Sequence, residues 1–136
     1  MQANRTHQIL VVEDNPTDVY LIREALREHQ VEHELMVLDD GEKAIRHLEA
    51  LDGHPPDLII LDIHIPKHDG LEVLGEYRTN AALLNVPIVM LTSSDSAVDR
   101  KRAKTIGANA YLEKPLTLDG FLALGKRFKM ILDPAL

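Results

Sequence analysis

The chain has 136 residues, enough for one domain with a single real core, and its 45% apolar and 27% charged content is that of an ordinary water-soluble globular protein. A net charge of -7, two Phe, three Tyr and no Trp argue against nucleic acid as a partner, and the absence of Cys removes disulfides and thiol chemistry and fits the cytoplasm. No apolar run is long enough to cross a bilayer, and the opening Met1-Gln2-Ala3-Asn4-Arg5-Thr6-His7 lacks the apolar centre of a signal peptide.

Taken in order, Gln8 to Val12 predicts a first strand that ends in acid, at Glu13-Asp14. Asn15 then caps a helix, with Pro16 at its first position and Asp18 in the first turn, where the helix dipole favours a negative charge. Val19, Ile22, Ala25 and Leu26 carry that helix to about His29. Glu32 to Leu38 alternates, with Leu35 and Val37 against Glu34 and Met36, and predicts a second strand. After Asp39-Asp40-Gly41, the apolar positions Ala44, Ile45, Leu48 and Leu51 predict a second helix, ended by Asp52-Gly53-His54-Pro55-Pro56. Leu58-Ile59-Ile60-Leu61 has no alternation, as expected of a central parallel strand covered on both faces, and it stops at Asp62. A loop through Pro66 leads to Asp69-Gly70 and a third helix to about Thr79.

Val86 to Leu91 predicts a fourth strand ending at Thr92-Ser93-Ser94, and Asp95 to Ile106 a weakly amphipathic fourth helix closed by Gly107. Ala108 to Leu112 predicts a short fifth strand ending at Glu113-Lys114-Pro115, and Leu118 to Leu132 the last helix. Five alternations of strand and helix predict an α/β fold of three layers, a doubly wound parallel sheet of order 2-1-3-4-5. The Asp133-Pro134-Ala135-Leu136 tail is expected to leave no room for an output domain, so residues 1–136 read as one domain.

In that topology the crevice opens where strands one and three adjoin, so Glu13, Asp14 and Asp62 meet there, with Thr92 and Lys114 on the far side. Two carboxylates about 4 Å apart repel by roughly 4 kcal/mol at an effective dielectric near 20, so three acids in one pocket call for a cation. Hard oxygen donors without cysteine suit Mg²⁺. A pocket with a divalent ion, a lysine, a hydroxyl and a free carboxylate is suited to phosphoryl transfer onto Asp62, giving an aspartyl phosphate.

These residues bring the chain to a known family. Val12-Glu13-Asp14-Asn15, Asp62 with Pro66 and Asp69-Gly70, Leu91-Thr92-Ser93 and Lys114-Pro115 resemble, in order and spacing, the receiver domain of two-component response regulators, a flavodoxin-like (βα)5 fold. The wording Glu13 to Asp18 and Pro66 to Leu74 is most similar to small stand-alone regulators of bacterial and cyanobacterial phytochromes. The resemblance implies that Asp62 accepts a phosphoryl group from a phosphohistidine on a sensor histidine kinase, and its narrower form implies a phytochrome as that kinase. It implies Mg²⁺ on Asp14, Asp62 and the backbone carbonyl of His64, with Glu13 acting through water. Thr92 and Lys114 would bind phosphoryl oxygens, Ser93 would leave room for them, and Tyr111 would be an aromatic switch turning inward with Thr92. The Lys114-Pro115 bond is expected to be cis. His64 and Ser94 would tune the lifetime of the phosphorylated form. The protein is then a phosphoryl acceptor with self-catalysed phosphorylation and dephosphorylation rather than an enzyme, and it changes the surface of helix four, strand five and helix five when modified.

Other readings sit beside this one. An aspartyl-phosphate phosphohydrolase would want a second Asp two residues after Asp62, where this chain has His64. A flavodoxin-like nucleotide binder would want a Gly-rich or Ser/Thr-rich loop in place of Glu13-Asp14-Asn15-Pro16. His64 and His68 have the spacing of a helical metal pair, but Pro66 between them makes the segment a solvated loop. Arg100-Lys101-Arg102 with Lys104 reads as a wet helix face that can also meet partners, and the apolar excess of the last helix suggests a homodimer through helix 4, strand 5 and helix 5.

Overall fold

The computed structural model describes residues 5–134. The absence of a signal-peptide core falls partly on residues 1–4, and the short tail partly on 135–136, which lie outside the described residues. The strands are β1 (His7–Val12), β2 (His33–Leu38), β3 (Leu58–Leu61), β4 (Ile88–Thr92) and β5 (Ala110–Glu113); the helices are α1 (Pro16–Glu28), α2 (Gly41–Arg46), α3 (Gly70–Arg78), α4 (Ala97–Ile106) and α5 (Leu118–Leu132). All strand pairs are parallel and the sheet order is β2-β1-β3-β4-β5, as the alternation of elements predicts.

The two faces of the sheet carry separate cores. Leu10, Val12, Ile59, Leu61, Ile88 and Met90 pack under α2, α3 and α4, while Ile9, Val11, Leu58, Ile60, Val89 and Leu91 pack under α1 and α5. The uninterrupted apolar run of β3 is thus explained: Ile59 and Leu61 serve one core and Leu58 and Ile60 the other, and all four are buried. Each such burial is worth about 1.5–3 kcal/mol, so β3, with both neighbours paired, is firmly anchored at the centre of the sheet. At the edge, β2 alternates less cleanly than its sequence predicts. Leu35 packs inward, but Val37 is exposed together with Met36, because an edge strand has cover on fewer sides.

The helix starts follow their caps. Asn15 accepts from the backbone of Thr17 and Asp18, Asp40 from Lys43, and Asp69 forms a reciprocal capping box with Glu72. The fourth helix begins two residues later than expected, at Ala97, because Ser96 supplies the cap through its bond to the Asp99 N–H. The second helix is short: regular α geometry ends at Arg46 and the chain continues as a 3₁₀ turn, His47–Ala50. Tyr77 fixes this region from α3, its buried hydroxyl donating to the Ala44 carbonyl at 2.7 Å. No helix among the described residues is long and apolar enough to cross a membrane.

The apolar excess of α5 is mostly consumed by α1. Phe121 and Phe128 are buried, Leu122, Leu124, Ile131 and Leu132 are half-buried, and Leu118 and Met130 stay exposed. The two helices approach so closely at Gly125 that a Cβ there would overlap the carbonyl oxygen of Ala25.

Candidate functional site

Parallel pairing brings the C-terminal ends of β1, β3, β4 and β5 to one edge of the sheet. The β1–β3 register matches Val12 with Leu61, so Glu13 and Asp62 leave the sheet side by side. Their backbones stay tied to the sheet: the Glu13 N–H donates to the Leu38 carbonyl at 3.0 Å and the Asp62 N–H to the Val12 carbonyl at 3.1 Å. Carboxylate oxygens of Glu13, Asp14 and Asp62 all lie within 4.8 Å of one another. Glu13 and Asp62 are buried and Asp14 is exposed, which gives a pocket with one open side. The donor set consists of hard oxygens and suits a divalent cation of the Mg²⁺ or Mn²⁺ type.

Lys114 enters from the end of β5 and is the charge partner of the whole cluster. Its Nζ lies 2.8 Å from Glu13 Oε1, 2.7 Å from Asp18 Oδ2 and 2.9 Å from Asp62 Oδ2. Burial works to lower the Lys114 pKa, but the hydrogen bonds to Asp18, Glu13 and Asp62 outweigh it and hold the ammonium well above its usual range. For Glu13 burial wins. Desolvation, helped by the Asp62 charge and opposed by Lys114, raises its pKa from 4.5 to about 7.

The Lys114-Pro115 bond is trans, contrary to the cis geometry expected from the resemblance. The lysine reaches the carboxylates without it, held by its own N–H, which donates to the Thr92 carbonyl at 2.8 Å, and by the three ion pairs at its tip. Asp18 was not singled out as a site residue by sequence reasoning. Its position in the first turn of α1 already explained a negative charge, while its pairing with Lys114 spans 96 residues of chain. A usable signal existed in the topology, because the start of α1 and the end of β5 share one edge of the sheet.

The end of β3 that carries Asp62 is tightly seated. The His64 N–H donates to Asp62 Oδ1 at 3.3 Å, while the His64 side chain is exposed. The Gly70 N–H donates to the Ile63 carbonyl at 2.8 Å, and a Cβ on Gly70 would overlap the carbonyl oxygen of Asp62. Only glycine permits that approach of the α3 start to the backbone of Asp62.

Thr92 is fully buried at the end of β4, and its Oγ1 accepts from the Ser94 N–H at 3.3 Å. Ser93 is exposed and Ser94 half-buried. The Tyr111 hydroxyl donates to the Ser94 carbonyl at 3.0 Å, which joins β5 to the loop after β4. Burial pushes the Tyr111 phenol up, partly offset by that bond. Arg100, exposed as the solvated basic face predicts, also stacks over Tyr111 with its guanidinium carbon 4.5 Å from the ring centroid. It also donates to the Tyr111 carbonyl at 3.3 Å. The rest of the run keeps to the same expectation, with Lys101, Arg102 and Lys104 exposed. His68, one member of the histidine pair, faces Glu72 at 3.2 Å and takes no part in the acidic cluster.

Fold and site together define a receiver-type phosphosignalling domain. The family model described as the response regulator receiver domain matches residues 9–124, and the chain belongs to that family. It is 37% identical over 121 residues to the response regulator Rcp1 of Synechocystis, which covers 86% of this chain and 82% of Rcp1. Among solved structures, the phosphorylated cyanobacterial phytochrome response regulator RcpA superposes with a TM-score of 0.87 at 32% identity, covering 97% of each chain. The Mn²⁺-bound form of Rcp1 does so with a TM-score of 0.81 at 34% identity, covering 91% of this chain and 92% of the other.

Proposed function

We propose that this response regulator accepts a phosphoryl group on Asp62 from a phosphohistidine of a sensor histidine kinase, in a Mg²⁺-dependent reaction, and signals through a change at its α4–β5–α5 surface. The observation that carries the reading is the meeting of Asp62 with Glu13, Asp14 and Lys114 at the strand ends. One Asp62 carboxylate oxygen bonds to phosphorus as the phosphorus–nitrogen bond to the donor imidazole breaks, and the imidazole keeps the electron pair and takes a proton. Mg²⁺ would be held by Asp14, Asp62, the backbone carbonyl of His64 and, through water, Glu13, and it supplies charge neutralisation for the phosphoryl oxygens. Lys114 donates to one of those oxygens and the Thr92 hydroxyl to another. Thr92, drawn toward the phosphoryl group, shifts the loop that Tyr111 holds through the Ser94 carbonyl. Ser93 leaves space for the group, and the exposed His64 and the half-buried Ser94 on its flanks set how fast water removes it. The reaction is assigned to the cytoplasm, where the ATP that charges a sensor kinase is found.

A phytochrome kinase is the proposed partner, on the strength of the likeness to Rcp1 and RcpA. Transfer assays from phosphorylated kinases of this and other sensor classes test it: preferential transfer from a phytochrome kinase is expected, and equal transfer from all of them would remove the assignment. A homodimer through α4, β5 and α5 draws support from Val98 and Met130, both exposed apolar side chains. A concentration-independent monomer mass, phosphorylated or not, would remove it. For the chemistry itself the decisive experiment is incubation with acetyl phosphate and Mg²⁺ followed by intact mass. One phosphoryl gain is expected in the native chain and none in Asp62→Asn; a gain retained by the variant would place the chemistry elsewhere.

A further inference from the structure

The Lys114 ammonium is ringed by three carboxylates: it donates to Asp18 at 2.7 Å and Asp62 at 2.9 Å and forms an ion pair with Glu13 at 2.8 Å. A phosphoryl oxygen that is to be held by Lys114 must displace one of them. Asp62 gives up its claim when it becomes the mixed anhydride, since esterified oxygen is a weaker acceptor. Glu13 would be drawn toward a cation held by the acidic cluster. Asp18 does neither. It stands outside the trio of carboxylates that can share a metal, on a different element, and its side chain is only 17% exposed, so its charge is poorly screened. The Asn15 side chain caps the first N–H groups of α1 and the Asn15 N–H itself donates to Glu13 Oε2 at 3.1 Å, so the Asp18 carboxylate is not needed to cap α1.

We propose that Asp18 is a positioning residue that competes with the phosphoryl group for Lys114 and so weakens the grip of the site on a tetrahedral anion at Asp62. The fixed negative charge repels the incoming group and retains part of the lysine that would neutralise it. This rests on Asp62 being the phosphoryl acceptor, and the test separates the two claims.

The probe is beryllium fluoride with Mg²⁺, a phosphoryl mimic that binds an aspartate carboxylate reversibly, followed by ¹⁹F NMR as a titration. Asp18→Asn keeps shape and hydrogen bonding but removes the charge. It is expected to tighten beryllium fluoride binding by about three- to tenfold, the scale of losing one partly screened charge a few ångströms from the anion. Asp18→Ser shifts affinity the same way, and Asp18→Glu restores the native value. A merely structural role would move thermal stability in Asp18→Asn and leave anion affinity unchanged. Equal or weaker binding by Asp18→Asn, with the native protein binding and Asp62→Asn not, overturns the proposal alone. No binding by the native protein, or binding retained in Asp62→Asn, overturns the acceptor reading and this proposal with it.

Discussion

Glu13 illustrates how one side chain can be costly to the fold and useful to the site. Below its ordinary pKa of 4.5 it is protonated folded or unfolded, and burial costs nothing extra. Between 4.5 and about 7 the unfolded chain ionises while the folded chain keeps the proton, so stability falls as pH rises; above 7 the loss is complete. At 1.36 kcal/mol per pKa unit this amounts to about 3 kcal/mol. Chelator-treated Glu13→Gln is therefore expected to lose about 1–3 kcal/mol less stability than the native protein between pH 4.5 and 8, read from urea midpoints across that range. At this scale the sequence was informative wherever a residue's role depends on its own strand end, as with Glu13, Asp14, Asp62 and Lys114. It was silent on Asp18 and Arg100, because each had a sufficient local explanation, a helix dipole or a wet face, that hid a partner many residues away.

Among the elements, two glycines predict opposite outcomes for one substitution. In α3, Gly75 has nothing within 4 Å of where a Cβ would stand, so Gly75→Ala is expected to gain about 0.5–1 kcal/mol by restricting the unfolded chain and favouring helix. In α5, Gly125 is pressed against α1, and Gly125→Ala is expected to lose about 1–3 kcal/mol by forcing the two helices apart. Urea denaturation of both variants checks the sign of each. Strand–helix alternation was legible because buried parallel strands lack period-two patterning while the helices keep theirs. The 3₁₀ turn at His47–Ala50 was not, since Leu48 and Leu51 satisfy helical spacing whether or not the last turn tightens. The crowding of α1 on α5 was not legible either. A stripe wider than one core requires looks the same whether its cover is a neighbouring helix or a second molecule.

For the molecule as a whole, cation binding and folding are linked, because the acidic cluster exists only when β1 and β3 lie side by side. A ligand at a hundred times its dissociation constant stabilises by about 2.7 kcal/mol. For a domain of this size that corresponds to roughly 10 °C in Tm. Saturating Mg²⁺ is expected to raise the native Tm on that scale and to have little effect on Asp14→Asn, whose exposed side chain can change without disturbing the core. A calorimetric scan with and without the ion checks it.

The seating of Asp62 has a consequence for where motion can occur. Its amide is tied to Val12, one of its oxygens to the His64 amide, and its carbonyl is backed by Gly70 with no room to spare. The wall bearing Asp62 is thus the anvil of the pocket. If charge is added there as proposed, the displacement is expected across the cleft, in the turn after β4 and in the tyrosine and arginine stacked beside it, the parts that a listening protein could touch.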